Sequence, residues 1–144
     1  MEIKRILVPL DLSEASLTGL DFAAGLAELF HAELLLLFVV EPLYYAGDLG
    51  LLLEEQRRFG HEELGRIGQQ LTRRGVQHRS MILNGTPYAV IADEADRQQA
   101  DLIVMATHGR TGLSHLFLGS VAEKVVRMAR CPVLTVRPAK AAAA

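Results

Sequence analysis

Between Met105 and Val126 the chain reads MATHGRTGLSHLFLGSVAEKVV, with Gly109, Gly112 and Gly119 close together and Ser120 directly after the last of them. Residues of these types can hold an anion. Glycine admits positive φ and lets backbone come close to a ligand. Successive amides in such a loop form a concave anion site. A helix starting at Gly119-Ser120 adds unpaired N–H groups and the positive end of a dipole. One exposed charge at a helix end gains only about 0.3–1 kcal/mol, so several N–H groups and a hydroxyl must converge for useful affinity. A plainer explanation stands beside this one. Ser120-Val121-Ala122-Glu123 has capping-box spacing, with Gly119 easing the turn.

Other residues with chemical potential have weaker patterns. Asp11 is either a ligand contact or a helix cap. His108 and His115 have no companion at helical metal-ligand spacing, so no metal site is expected. Thr111, Ser114 and Ser120 lack a recognisable base and orienter, and no catalytic residue is assigned. Cys131, the single cysteine, reads as a buried, inert thiol at a strand start. Asp93, Glu94 and Asp96 with Arg97 read as a solvated helix face. Tyr44 and Tyr45 fall in a loop. No G-x-x-x-x-G-K-[ST] occurs, and no G-x-G-x-x-G follows the first apolar run, so neither a P-loop nor the usual dinucleotide fingerprint is present.

The elements that must position these residues alternate along the chain. Ile3–Pro9 reads as a strand closed by Pro9. Asp11 and Ser13 are candidate caps for a helix running to about His31, with Leu17, Leu20, Ala24, Ala27, Leu26 and Phe30 on its apolar face. Glu33–Val40 is a continuous apolar strand, which requires cover on both sides. Leu51–Arg74 is a long exposed helix pattern interrupted by Gly60, Gly65 and Gly68, with Gly75 as its C-cap. Val76–Leu83 is a third strand. Thr86 caps the next helix and Pro87 fills its first turn. Asp101–Met105 is the fourth strand, Gly119–Arg130 holds the last helix, and Pro132–Arg137 is the fifth strand. Strands alternating with helices predict a parallel sheet with helices on both faces. In such sheets ligands sit beyond the carboxyl ends of the strands. Those ends are Pro9-Leu10-Asp11, Val39-Val40-Glu41, Asn84-Gly85 and the glycine-rich stretch itself.

The chain has 144 residues, half of them hydrophobic, and a net charge near −2. These values fit one globular domain over residues 1–138, with 139–144 as a disordered tail. Nothing basic marks a nucleic-acid surface. The longest apolar run, Leu34–Val40, is far short of the roughly 20 residues that span a membrane. Asp11 interrupts the N-terminal apolar stretch too early for a secretory signal, so a cytoplasmic location is expected.

The segments ILVPLDLSEAS, DLIVMATHGRTGL, LGSVAEKVVR and CPVLTVRP together resemble the universal stress protein family over essentially the whole chain. Nucleotide-binding members carry Gly-x-x-Gly, nine residues, then Gly-Ser or Gly-Thr. Here Gly109 takes the second position, Arg110–Leu118 intervene and Gly119-Ser120 complete the motif, while Ala106 replaces the first glycine. The resemblance implies an open, Rossmann-like α/β fold with five parallel strands in order 3-2-1-4-5. It implies a stress-response regulator that binds ATP with magnesium. The implied site comprises Pro9, Leu10, Asp11, Val39, Met105, Ala106, His108, Gly109, Arg110, Gly119, Ser120 and Val121. Backbone at Val39 would read the adenine edge, and Gly109, Arg110, Gly119, Ser120 and Val121 would surround the phosphates. A carboxylate beside a triphosphate is repelled, which puts Asp11 nearer the sugar or base. The family commonly forms homodimers through the last strand, here Val133, Leu134, Thr135 and Val136; cover by a neighbouring loop or helix is the alternative. Two further readings remain: a dimeric adaptor of the same fold without nucleotide, kept open by Ala106, and a slow ATPase or self-phosphorylating protein.

Overall fold

A computed structural model describes residues 1–42, 49–108 and 118–138, so the expected tail at 139–144 lies outside the described residues. Its elements are β1 (Arg5–Leu10), α1 (Glu14–Phe30), β2 (Glu33–Val40), α2 (Leu49–Arg73), β3 (His78–Asn84), α3 (Pro87–Arg97), β4 (Leu102–Ala106), α4 (Ser120–Met128) and β5 (Val133–Val136). The five strands form one parallel sheet in the order β3-β2-β1-β4-β5. The expected class and strand order are therefore found.

Side-chain alternation splits the core into two layers. Ile6, Val8, Leu34, Leu36, Phe38 and Val104 meet Leu20, Ala23 and Ala27 of α1 and Leu64, Ile67 and Leu71 of α2. Leu7, Leu35, Leu37, Ile103 and Met105 meet Ile91 and Ala95 of α3 and Ala122 and Val125 of α4. This is why β2 is apolar without interruption: Leu34 to Leu37 have no exposed surface, and each such side chain gains roughly 1.5–3 kcal/mol by burial. The apolar face of α1 is narrower than its sequence suggests. Leu20, Ala24 and Ala27 are buried, but Leu17 and Phe30 are exposed. On α3 the expected solvated face is also narrower. Asp93, Asp96 and Arg97 are exposed, but Glu94 is buried and accepts from Gln98 Nε2 at 2.9 Å.

Pro9 does not close β1. It lies inside the strand, opposite Leu37, and Leu10 pairs with Phe38. The even residues of β1 face β2, since Glu33 N donates to Lys4 O, and the odd ones face β4, since Asp101 N donates to Arg5 O. After Leu7↔Ile103 the next rung toward β4 needs an amide hydrogen from residue 9. Proline has none. The β1–β4 ladder stops there, while β4 continues along β5 as far as Ala106↔Val136. The sheet thus opens between β1 and β4 at its carboxyl edge.

The glycines do not interrupt α2, which is one continuous helix. A Cβ on Gly60 would lie 2.3 Å from the Phe38 ring, so glycine lets the helix settle onto β2. At its end Gly75 has φ +74, Gly75 N donates to Thr72 O and Val76 N to Leu71 O, a Schellman ending. Two other expectations about caps change. Thr86 sits at the N-cap of α3 but its side chain makes no capping bond. Ser13, not Asp11, caps α1: its hydroxyl accepts from Ser16 N at 3.2 Å.

Candidate nucleotide site

The ends of β1 and β4 and the start of α4 converge at the opened edge of the sheet. Gly119 N donates to Thr107 O at 2.6 Å, and Thr107 N donates to Val136 O at 3.0 Å. Thr107 therefore ties the α4 start to β4 and to β5 at once. A Cβ on Gly119 would lie only 2.6 Å from Thr107 O, a backbone atom that cannot step aside. Glycine is required there for packing, whatever the loop binds.

The capping box expected as the plain alternative is not formed. Gly119 is itself the N-cap, without a capping side chain, and Ser120 is the first helical residue and exposed. The first helical bond runs from Glu123 N to the backbone oxygen of Gly119, at 2.9 Å. The amides of Ser120, Val121 and Ala122 precede that first rung and sit at the helix's positive end. The Glu123 carboxylate is drawn along the helix to Arg127 Nη2 at 2.9 Å.

On the β1 side, Pro9 and Leu10 are buried and Asp11 is half-buried. Asp11 Oδ1 accepts from Ser13 N at 2.9 Å and from Ser13 Oγ at 2.5 Å, which fixes the carboxylate over the strand end. Leu12 between them has φ +66, a left-handed conformation that is uncommon for leucine. Val39 is half-buried near the end of β2. Met105 is buried on the α3–α4 face.

Ala106 is 8% exposed and ends β4. Alternation turns its methyl to the α1 face, away from α4. There Gly19 approaches closely: a Cβ on Gly19 would lie 3.2 Å from Ala106 N. His108 is half-buried, with Nδ1 2.7 Å from Thr107 Oγ1. Val121 packs against the α3–α4 core layer. Gly109 and Arg110 lie outside the described residues, as do Tyr44, Tyr45, Thr111, Gly112, Ser114 and His115.

Sequence reasoning missed three contributors: Thr107 as the tie, Ser13 as the holder of Asp11, and Pro9 as the residue that opens the sheet. Pro9 carried a signal, since a proline within an apolar run marks a missing rung, and so did Asp11 two residues before Ser13, the spacing of an Asx turn. Among the described residues no group of three His, Cys, Asp or Glu converges as a metal site. Cys131 is half-buried rather than buried; burial, then the Asp96 and Asp101 carboxylates, push its thiol up. No helix among the described residues is long and apolar enough to cross a membrane.

Residues 2–137 match the model of the universal stress protein family. Universal stress protein MJ0531 of Methanocaldococcus jannaschii is 37% identical over 142 residues, covering 95% of this chain and 84% of that protein. Universal stress protein UspA from Lactobacillus plantarum has a similar structure, with TM-score 0.88 and 26% identity over 95% of this chain and 99% of that one. A universal stress protein in complex with cAMP shares the fold at TM-score 0.74 and 24% identity, over 94% of this chain and 98% of that one. The chain belongs to the universal stress protein family.

Proposed function

We propose that this chain binds an adenine nucleotide, ATP with magnesium, where the β1 and β4 ends meet the start of α4, and acts as a nucleotide-dependent regulator in a stress response. The observation that carries this reading is the Gly119-Ser120 step. Packing reserves the N-cap of α4 for glycine, so no side chain satisfies the first amides of the helix. The serine hydroxyl is exposed one residue later, beside those amides. That arrangement suits an anion.

The other roles follow from charge and position. Asp11 belongs on the ribose or base side, because a carboxylate repels phosphates. Val39 backbone would meet the adenine edge. Gly109 and Arg110 would complete the phosphate shell with Gly119, Ser120 and Val121. Pro9, Leu10 and Met105 would form the floor, and His108 would stand at its rim. Magnesium commonly rides on substrate phosphates and keeps several waters, which fits a site without its own carboxylate cage. The universal stress protein in complex with cAMP is an instance of this fold holding an adenine nucleotide. The methyl of Ala106 points to α1, so it does not favour the adaptor reading. Two copies would join through Val133–Val136. No general base is assigned, and hydrolysis is not part of the proposal.

The test is calorimetric titration of ATP and magnesium into protein stripped of ligand. Saturable heat is expected, with Ser120→Ala weakening affinity about tenfold through one lost charge-assisted hydrogen bond. No heat at millimolar ATP would overturn the proposal.

A further inference from the structure

We infer that the groove between α2 and the open edge of β3 binds an extended acidic peptide from a partner protein, added to the sheet as a further strand. The groove has a volume of about 780 Å³ and is lined by Arg57, His61 and Arg73 of α2 and by His78, Ser80 and Ile82 of β3, among others. It lies at the opposite edge of the sheet from β5. The inference is independent of the nucleotide reading.

Three observations favour a peptide strand. The first is the state of the edge. Gln77 O accepts from Leu34 N and Gly85 N donates to Val40 O, so the odd residues of β3 face β2. The N–H and C=O groups of His78, Ser80 and Ile82 therefore point away from the sheet. An exposed edge is a template for strand addition, and proteins usually blunt one with proline or shortness. β5 has four residues and Pro132 and Pro138 beside it, whereas β3 has seven residues and no proline.

The second is charge. The lining contains Arg57 and Arg73 and, among the described residues, no carboxylate, in a chain whose net charge is −2. Arg57 is held at the edge by a 2.9 Å bond from its Nη1 to Asn84 Oδ1. The third is space. A Cβ on Gly65 would meet nothing within 4 Å, so glycine keeps the wall of the groove low. On the other face of β3, Met81 and Leu83 are half-buried and apolar. The complementary strand therefore alternates, acidic toward α2 and apolar toward Met81 and Leu83.

The probe is a fluorescein-labelled heptapeptide of alternating glutamate and valine, titrated with the full chain by anisotropy. Saturable binding is expected, weakened at least about tenfold by Gly65→Phe, which fills the groove, and by Arg57→Gln with Arg73→Gln. Methylating alternate peptide amides should abolish binding, and a lysine–valine peptide should bind far less. Absence of saturable binding at millimolar protein overturns the inference. So does equal affinity for the lysine peptide, or unchanged affinity in both sets of variants. Equal binding of the methylated peptide, with displacement by inorganic pyrophosphate, would make the groove a small-anion site instead and also overturn it.

Discussion

Gly119 and Ser120 are neighbours with different duties. Gly119 is fixed by sterics: any side chain meets the Thr107 carbonyl. Gly119→Ala should therefore destabilise the fold by about 1–3 kcal/mol in denaturant unfolding, with or without nucleotide. A loss of binding in that variant would say little about the ligand. Ser120 is exposed and caps nothing. Ser120→Ala should change stability by less than about 0.5 kcal/mol, and so reports on binding alone. The glycine motif was legible in the sequence, but the division of labour was not, because it depends on a backbone oxygen from another element. Cys131 gives a pH prediction at the same scale. Its folded thiol is pushed up by burial, so the unfolded thiol ionises first as pH rises. Its contribution to stability is complete below the ordinary cysteine range, about pH 8.5, and falls above it. Unfolding curves at rising pH should show that decline, and Cys131→Ala should reduce it.

At the scale of elements, helix ends hold removable strain. His31 and Gln99 are exposed and have φ +55 at the ends of α1 and α3. Gln99→Gly should stabilise the fold by about 0.5–1 kcal/mol, as the left-handed penalty exceeds the entropy that glycine adds to the unfolded chain. An unchanged or lower melting temperature would contradict this. Gly60→Ala should do the opposite and cost about 1–3 kcal/mol, because its methyl enters the Phe38 ring. The element order was readable because each strand and helix keeps its own periodicity. The end of β1 was not. Proline usually terminates a strand, but here its missing hydrogen falls where β1 and β4 part, so the strand runs on to Leu10. The exposed flank of α1 at Leu17 and Phe30 was likewise hidden, since periodicity gives the centre of a buried face better than its width.

Over the whole molecule, both sheet edges present backbone groups, and the proposals give them different partners. In β5 the residues facing β4 are even, since Thr107 N donates to Val136 O and Ile103 N to Pro132 O. Thr135 therefore turns its amide outward. If two copies join through β5, Thr135→Pro should leave the internal ladder intact and shift the protein from dimer to monomer in sedimentation velocity. A dimer that persists would remove β5 from the interface. The strand order that creates these two edges followed from family likeness and not from spacing, since spacing does not say which strands are neighbours. Amide NMR of stripped, isotope-labelled protein titrated with ATP and magnesium reads out where nucleotide binds. The largest shifts are expected at Gly119, Ser120, Val121 and Asp11, with the β3 edge unmoved. Shifts confined to α2 and β3, or none at saturating ATP, would rule out nucleotide binding at the start of α4.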